Sequence, residues 1–361
     1  MTSPDKRADM RALASFRREL CRDPQLRLLF FELTDACNLS CAHCGSSCSA
    51  ANGTFLPEAL VQKTLGSVRE GLNETPFVCL TGGEPLLHPQ FFSIAERIAK
   101  EELFWGMTTN AMLIDAAAAR RLGECAMTSV SFSLDGMRQS HNALRRNERA
   151  FDRCLRGISN VVEHCSGAVT MVTTVVHRGN LCELEVLHGL VRELGVDIWR
   201  IVNVDPIGRA KDSDMLLGAD EMRSLLQYIR ARRQDPAETL DVTYGCSHYL
   251  TEEFENETRD GYFCCGAGIT IGSVLCNGDI YACLDIERRA ELVQGNVARD
   301  DFARVWKEKF QPFRTDRSEL CGACRECPDR EFCAGDSAHT WNFGDCSPNE
   351  CVKTLLGGRS C

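Results

Sequence analysis

The sequence predicts an α/β chain, a partial (β/α)6 TIM-like barrel followed by a small, irregular cysteine-rich domain. Three observations carry that prediction. Six short apolar stretches rich in β-branched and aromatic residues lie between residues 28 and 204, and helical patterns fall between and after them. Such runs suit parallel strands buried on both faces, and repeated β-α units with right-handed crossovers build a barrel. The rhythm stops near Arg233–Asp241. Beyond it the text is dense in cysteine, with eleven of the 22 cysteines between Cys264 and Cys361.

Taken in order, residues 1–27 are polar and read as a helical lead-in. The expected strands are Leu28–Thr34, Phe77–Thr81, Phe104–Thr108, Thr128–Leu134, Ala168–Val176 and Ile198–Val204. The expected helices are Pro57–Leu72, Pro89–Glu102, Asp115–Leu122, Ala150–Glu163, Leu181–Leu194 and Ala219–Arg232. Pro57 suits a first helical position, where a missing N–H costs nothing. The boundary falls near residue 240. Residues 241–361 hold little helical periodicity except Asp300–Phe310 and too few regularly placed apolar residues for a core of their own. Metal staples are expected to hold this part together.

Composition sets the outer limits. With 361 residues, 44% hydrophobic and 25% charged, the chain can bury a sizeable core and is not disordered overall. A net charge of −10 speaks against nucleic-acid binding through a broad basic surface. No apolar run reaches the length of a membrane span, and the charged N-terminus is no secretory signal, so a reducing cytoplasmic setting is expected. Clustered cysteines there suit metal better than disulfides.

The sharpest motif is Cys37-Asn-Leu-Ser-Cys41-Ala-His43-Cys44, a C-x3-C-x2-C loop directly after the first strand. Three close thiolates can hold three corners of a cubic iron–sulfur cluster and leave the fourth iron open. Thr81-Gly82-Gly83-Glu84-Pro85 follows the second strand, Thr109-Asn110 the third, and Ser133-Leu134-Asp135-Gly136 ends the fourth. Thr174 and His177 end the fifth, and Asp205-Pro206 with Gly208-Arg209 end the sixth. Each motif sits at the C-terminal end of an expected strand, where β/α barrels place their sites. The set resembles the radical SAM superfamily. The resemblance implies a [4Fe–4S] cluster on Cys37, Cys41 and Cys44, with S-adenosylmethionine on the open iron. It further implies that Gly82, Gly83, Glu84 and Pro85 receive the methionine amino group, and that Ser133 and Asp135 lie near the ribose and carboxylate. Asn110 and Thr174 are further cofactor candidates, and His43 stands where the family has a ring beside the adenine. Cys48 reads as a spare thiol.

The C-terminal cysteines continue the likeness. Cys265-x12-Gly278-x4-Cys283 and Cys324-x2-Cys327-x5-Cys333, followed by Cys346 and Cys351, resemble the SPASM extension, which carries one or two auxiliary iron–sulfur clusters. The regions are then a radical SAM core at 28–240 and a SPASM-like domain at 241–361. The expected ligands are Cys265 and Cys283 for a first auxiliary cluster. Cys324, Cys327 and Cys333 with either Cys351 or Cys346 are expected for a second. One position departs from the pattern, because Ser337 stands where a cysteine is expected. Cys246, Cys264, Cys276, Cys346, Asp336 or Ser337 are alternative ligands for the first cluster, which is otherwise incomplete, smaller or absent. Tandem C-x2-C pairs alone also read as zinc ribbons.

The resemblance implies an enzyme that generates a 5′-deoxyadenosyl radical and abstracts hydrogen from a ribosomally made peptide or protein, forming an intramolecular crosslink. Formylglycine-type oxidation and epimerisation are the neighbouring peptide outcomes. The competing substrate is a small molecule, a tetrapyrrole or a sugar, gripped by a charged clamp from Arg200, Arg209 or His248. A protein that only relays electrons is the non-catalytic alternative. An electron donor of the flavodoxin or ferredoxin type is implied. Because only 27 residues precede the first strand, a separate leader-peptide-binding protein is an expected partner. The sequence assigns no catalytic acid or base; Asp285 and Asp336 are candidates by position alone.

Overall fold

The structure is a computed structural model that describes residues 5–245 and 247–357; Cys246 and Cys361 lie outside them. Helix α1 (Lys6–Arg22) precedes strand β1 (Leu28–Thr34). There follow α2 (Glu58–Leu72), β2 (Phe77–Gly82), α3 (Phe91–Lys100), β3 (Trp105–Thr109), α4 (Ala116–Glu124) and β4 (Ser129–Ser133). Two helices, α5 (Arg138–Arg145) and α6 (Ala150–His164), lead to β5 (Val169–Val176), α7 (Leu184–Glu193), β6 (Ile198–Asn203) and α8 (Ala219–Gln234). All six expected strands and all six expected helices are present. Pro57 caps α2 from just outside, its carbonyl accepting from Leu60 N and Val61 N, so the helix starts one residue later than expected.

The strands pair in parallel in the order β1-β2-β3-β4-β5-β6, the partial barrel of the expected fold class. Strand alternation sorts each side chain. In β5, Thr170, Val172, Thr174 and Val176 are buried, whereas Met171, Thr173 and Val175 are half-buried on the opposite face. The buried set meets α6 and α7 in one continuous core with Val130, Phe132, Ile158 and Val191.

The sheet does not stop at residue 240. Strand β7 (Asp241–Tyr244) adds parallel to β6, and β8 (Ile271–Val274) adds parallel to β1 at the other side. Antiparallel β9 (Asp279–Tyr281) and β10 (Gly295–Asn296) complete a sheet of ten strands. The cysteine-rich part is therefore anchored by more than metal. Ile280, Tyr281, Val297, Phe302, Trp306, Phe310 and Phe313 join the barrel's own hydrophobic cluster. Helix α9 (Phe302–Glu308) packs on α2, where Ser67 Oγ donates to Asp301 Oδ2 at 2.7 Å and a β-carbon at Gly71 would fall 2.4 Å from Ala303 Cβ. These apolar positions lie in elements of three to seven residues or in the turns beside them, too short to declare a period in the sequence.

Candidate active site

The C-x3-C-x2-C loop leaves the end of β1 and folds over the strand ends. Ala36 N donates to Thr34 Oγ1 and Leu39 N to Cys37 Sγ, which curls the loop around the first thiol. Asn110 Nδ2 reaches Asn38 Oδ1 at 2.7 Å, and Arg145 Nη1 lies 3.5 Å from Cys41 Sγ. From the short helical turn after β6, Arg209 Nε donates to Cys41 O at 2.6 Å and Nη2 to Cys48 O at 3.1 Å. Gly208, at φ +53, passes so close that a β-carbon would sit 2.4 Å from Cys44 O. Only glycine fits there. Arg209 thus braces the loop, and it also lines the cavity onto which the loop opens.

Cys37, Cys41 and Cys44 line one cavity of about 380 Å³, and His43, Gly82, Gly83, Asn110 and Ser133 line it with them. The sequence-based assembly of those eight residues is thus found in space. Burial pushes the Cys37 thiol up to about 12 and raises that of Cys41 against the pull of Arg145. Cys44 goes the other way, down to about 5, chiefly through a hydrogen bond from Cys48. Cys48 lines the same cavity beside Cys44. Burial drives His43 down to about 4, and its Nδ1 is buried with no hydrogen-bond partner among the described residues. An unpartnered nitrogen on a cavity wall fits a missing group.

Four expected cofactor residues do not face this cavity. The Glu84 carboxylate is fully buried and accepts from Thr109 Oγ1 at 2.8 Å, Asn110 N at 2.9 Å and Leu86 N at 3.4 Å. Burial lifts it to about 7 against these bonds. It pins the Asn110 turn, and Pro85 is buried in the short helix beyond it. The glycines before them serve backbone packing, because β-carbons on Gly82 and Gly83 would fall 2.3 Å from Thr34 O and 2.2 Å from Ala36 O. Asp135 is also fully buried, with Arg145 Nε donating to its Oδ2 at 2.6 Å. Burial alone would raise its carboxyl, but Arg145 outweighs that and holds it at about 2. Thr174 points into the core, donating to Leu134 O at 2.6 Å; its strand neighbours Thr173 and Val175 face the cavity instead. The alternation of a strand decides this, and a motif read by position overlooks it.

Arg145 is the functional residue the sequence reading missed. It sits at the end of α5, whose eight residues RQSHNALR carry no apolar stripe. A charged residue ten positions after Asp135 was the available signal.

A second cavity of about 210 Å³ is lined by Cys324, Cys327, Cys333 and Cys351, with Cys321 as a fifth. Cys346 is not on its wall; its Sγ lies 3.9 Å from Phe343 O. Lys353 Nζ approaches Cys327 Sγ at 3.4 Å and Asp329 at 2.9 Å. Between the two cavities runs a buried polar chain. His248 Nε2 meets Asp205 Oδ1 and its Nδ1 meets Asp336 Oδ2, each at 2.8 Å, and His339 Nε2 lies 3.2 Å from Asp205 Oδ2. Burial would lower His248, but the two carboxylates outweigh it and hold the imidazole well above its ordinary range. His248 is thereby engaged between two carboxylates and not offered to a substrate. Among the described residues no three His, Cys, Asp or Glu side chains converge tightly enough to hold a single metal ion. A cubic cluster spreads its thiolates around four irons and needs a wider basket.

Comparison with known proteins agrees with this picture. Residues 31–191 match the radical SAM superfamily profile, and residues 264–328 match SPASM, an iron–sulfur cluster-binding domain. The chain is 27% identical over 338 residues to an AdoMet-dependent heme synthase of Nitratidesulfovibrio vulgaris, covering 89% of each. It is 28% identical over 314 residues to the mycofactocin maturase MftC of Mycobacterium tuberculosis, covering 85% of this chain and 77% of the maturase. Among solved structures, Streptococcus suis SuiB bound to S-adenosylmethionine aligns with a TM-score of 0.72 at 19% identity, over 86% of this chain and 73% of SuiB.

Proposed function

The chain belongs to the radical SAM superfamily and carries a SPASM domain, and from that premise we propose that it is a peptide maturase, forming an intramolecular crosslink in a ribosomally made peptide or small protein. A radical SAM enzyme of this kind works with a [4Fe–4S] cluster, S-adenosylmethionine and auxiliary iron–sulfur clusters. We assign the catalytic cluster to Cys37, Cys41 and Cys44, which share a wall with the unpartnered His43 Nδ1. When bound, these groups supply a 5′-deoxyadenosyl radical. The chain's own residues hold the geometry. Arg209 and Asn110 fix the loop, Arg145 lays positive charge beside Cys41, and the half-buried Thr173, Val175 and Val202 form the inner wall.

Cavity shape carries the substrate reading. The space of about 380 Å³ beside the three thiols opens to solvent, so one side chain of a larger substrate can reach in from outside. The resemblance to a maturase supports the same reading. One observation favours the small-molecule alternative. Arg200 lines the cavity, and its hydrogen-bond partners are the hydroxyls of Thr173 and Ser131, not a carboxylate. Such a guanidinium can take an anionic group, and a heme synthase is among the relatives. Anaerobic co-expression with a short open reading frame adjacent to the gene, followed by mass spectrometry, separates the two. Loss of two hydrogens per modified site in the peptide is the expected result. An unaltered peptide, together with mass loss from a tetrapyrrole bearing propionate side chains, would overturn it.

The second cavity supports a choice that the spacing left open. We assign the fourth thiolate of the auxiliary cluster to Cys351 and not Cys346. Cys351→Ala is expected to lower the iron content by about four atoms per chain, while Cys346→Ala leaves it unchanged, as read by colorimetric iron assay after anaerobic reconstitution.

A further inference from the structure

Two of the three thiolate sets expected from the sequence open onto the two cavities described above. Cys265 and Cys283 line neither the 380 Å³ nor the 210 Å³ space. Both pack against the hydrophobic core instead. Cys265 is half-buried. Its Sγ accepts from Ala338 N at 3.3 Å. On the residues after it, a β-carbon at Gly266 would fall 2.4 Å from Thr270 Oγ1, and one at Gly268 would fall 2.7 Å from Phe313 Cβ.

The position that should return a further thiolate holds Ser337, 1% exposed, and its hydroxyl is engaged by Thr340 Oγ1 at 2.9 Å and His339 Nε2 at 3.4 Å. Asp336 just before it and His339 two residues after it belong to the chain Asp336–His248–Asp205–His339. Asp205 and His339 face the first cavity and Asp336 the second, so this chain forms the wall between them. Tyr244, Asn203 and Arg259 close around it, with Arg259 Nη2 donating to His248 O at 2.6 Å. A buried network with this many members satisfied is rigid, and opening it for an inorganic cluster would strand several charges.

We infer that this chain assembles two iron–sulfur clusters and not three, one at Cys37, Cys41 and Cys44 and one at Cys324, Cys327, Cys333 and Cys351, and that Cys265 and Cys283 hold none. The place of the first auxiliary cluster is taken by the buried carboxylate–imidazole wall. The substrate then meets Asp205 and His339 on that side, not an iron. This inference rests on the radical SAM and SPASM assignment.

The test is the iron and acid-labile sulfide content of the full chain after anaerobic reconstitution, with Mössbauer spectra of the iron-57 protein. The expected wild-type content is about eight irons per chain, four per cubic cluster. The double variant Cys265→Ser/Cys283→Ser is expected to keep all of it. Loss of about two or more irons in that variant, or about twelve irons in the wild type, would overturn the inference. Should the variant fold poorly, the wild-type spectrum decides: two cluster populations support it and a third overturns it. Cys324→Ala/Cys327→Ala tests the underlying reading separately, with the iron content expected to halve; unchanged iron there would overturn the second site and the inference with it.

Discussion

Replacing Cys37, Cys41 and Cys44 together by alanine is expected to reduce 5′-deoxyadenosine formation to the background of the assay. The measurement is chromatography of an anaerobic reaction with S-adenosylmethionine and dithionite. The three thiols come from one eight-residue loop and converge on one cavity wall, and among the cysteines there the remaining one is Cys48. Cys48→Ala is the contrasting variant. It removes one hydrogen bond to Cys44, worth about 1 kcal/mol, and should slow the reaction about fivefold at most. Equal loss in both variants would make Cys48 a ligand. Burial pushes the Cys37 thiol up to about 12, so cluster loading must displace a proton there. Iron uptake should therefore weaken as the pH falls.

Asp135→Asn is expected to destabilise the chain by about 3–5 kcal/mol, because it strands the buried Arg145 guanidinium. The double variant Asp135→Leu/Arg145→Met should cost clearly less than the two single changes summed, since it removes both charges at once. Urea unfolding followed by circular dichroism measures the double variant beside Asp135→Leu and Arg145→Met alone, and additive losses would count against the pair acting as a unit. The pH dependence has a definite sign. The folded Asp135 carboxyl lies at about 2 against an ordinary 3.8, so its stabilisation is present above the ordinary value and is lost as the pH falls through about 2. In the wild type this term is intact at neutral pH, and it is absent at every pH in the double variant. Arg145 also touches Cys41 Sγ, so the same lesion should loosen the cluster loop.

Much of this was legible in the text. The six strands and their helices announce themselves because each is long enough to show an apolar run or a helical stripe. The cysteine loop announces itself because its ligands are local, separated by three and two residues. Local spacing is a property of sequence, and it survives whatever the rest of the chain does. Strand position also told which loops crowd the barrel mouth, which is why Asn110 and Ser133 were found beside the thiols.

Tertiary structure decided what depends on direction and on distant partners. Glu84 and Asp135 stand in the expected motifs, yet both turn inward, one to pin a turn and the other to hold Arg145. Thr174 yields the cavity to Thr173 and Val175 because successive side chains of a strand face opposite ways. Arg145 and the Asp336–His248–Asp205–His339 wall were invisible, since their members come from separate elements and each is an ordinary residue alone. Cys351, and not Cys346, lines the second cavity because residues 351–354 lie against Cys327, where Lys353 meets Asp329. The sequence by itself therefore determined the C-x3-C-x2-C loop and the α/β frame that carries it. The directions of buried side chains and the pairing of residues far apart in the chain are set only when burial forces every charge to find its partner.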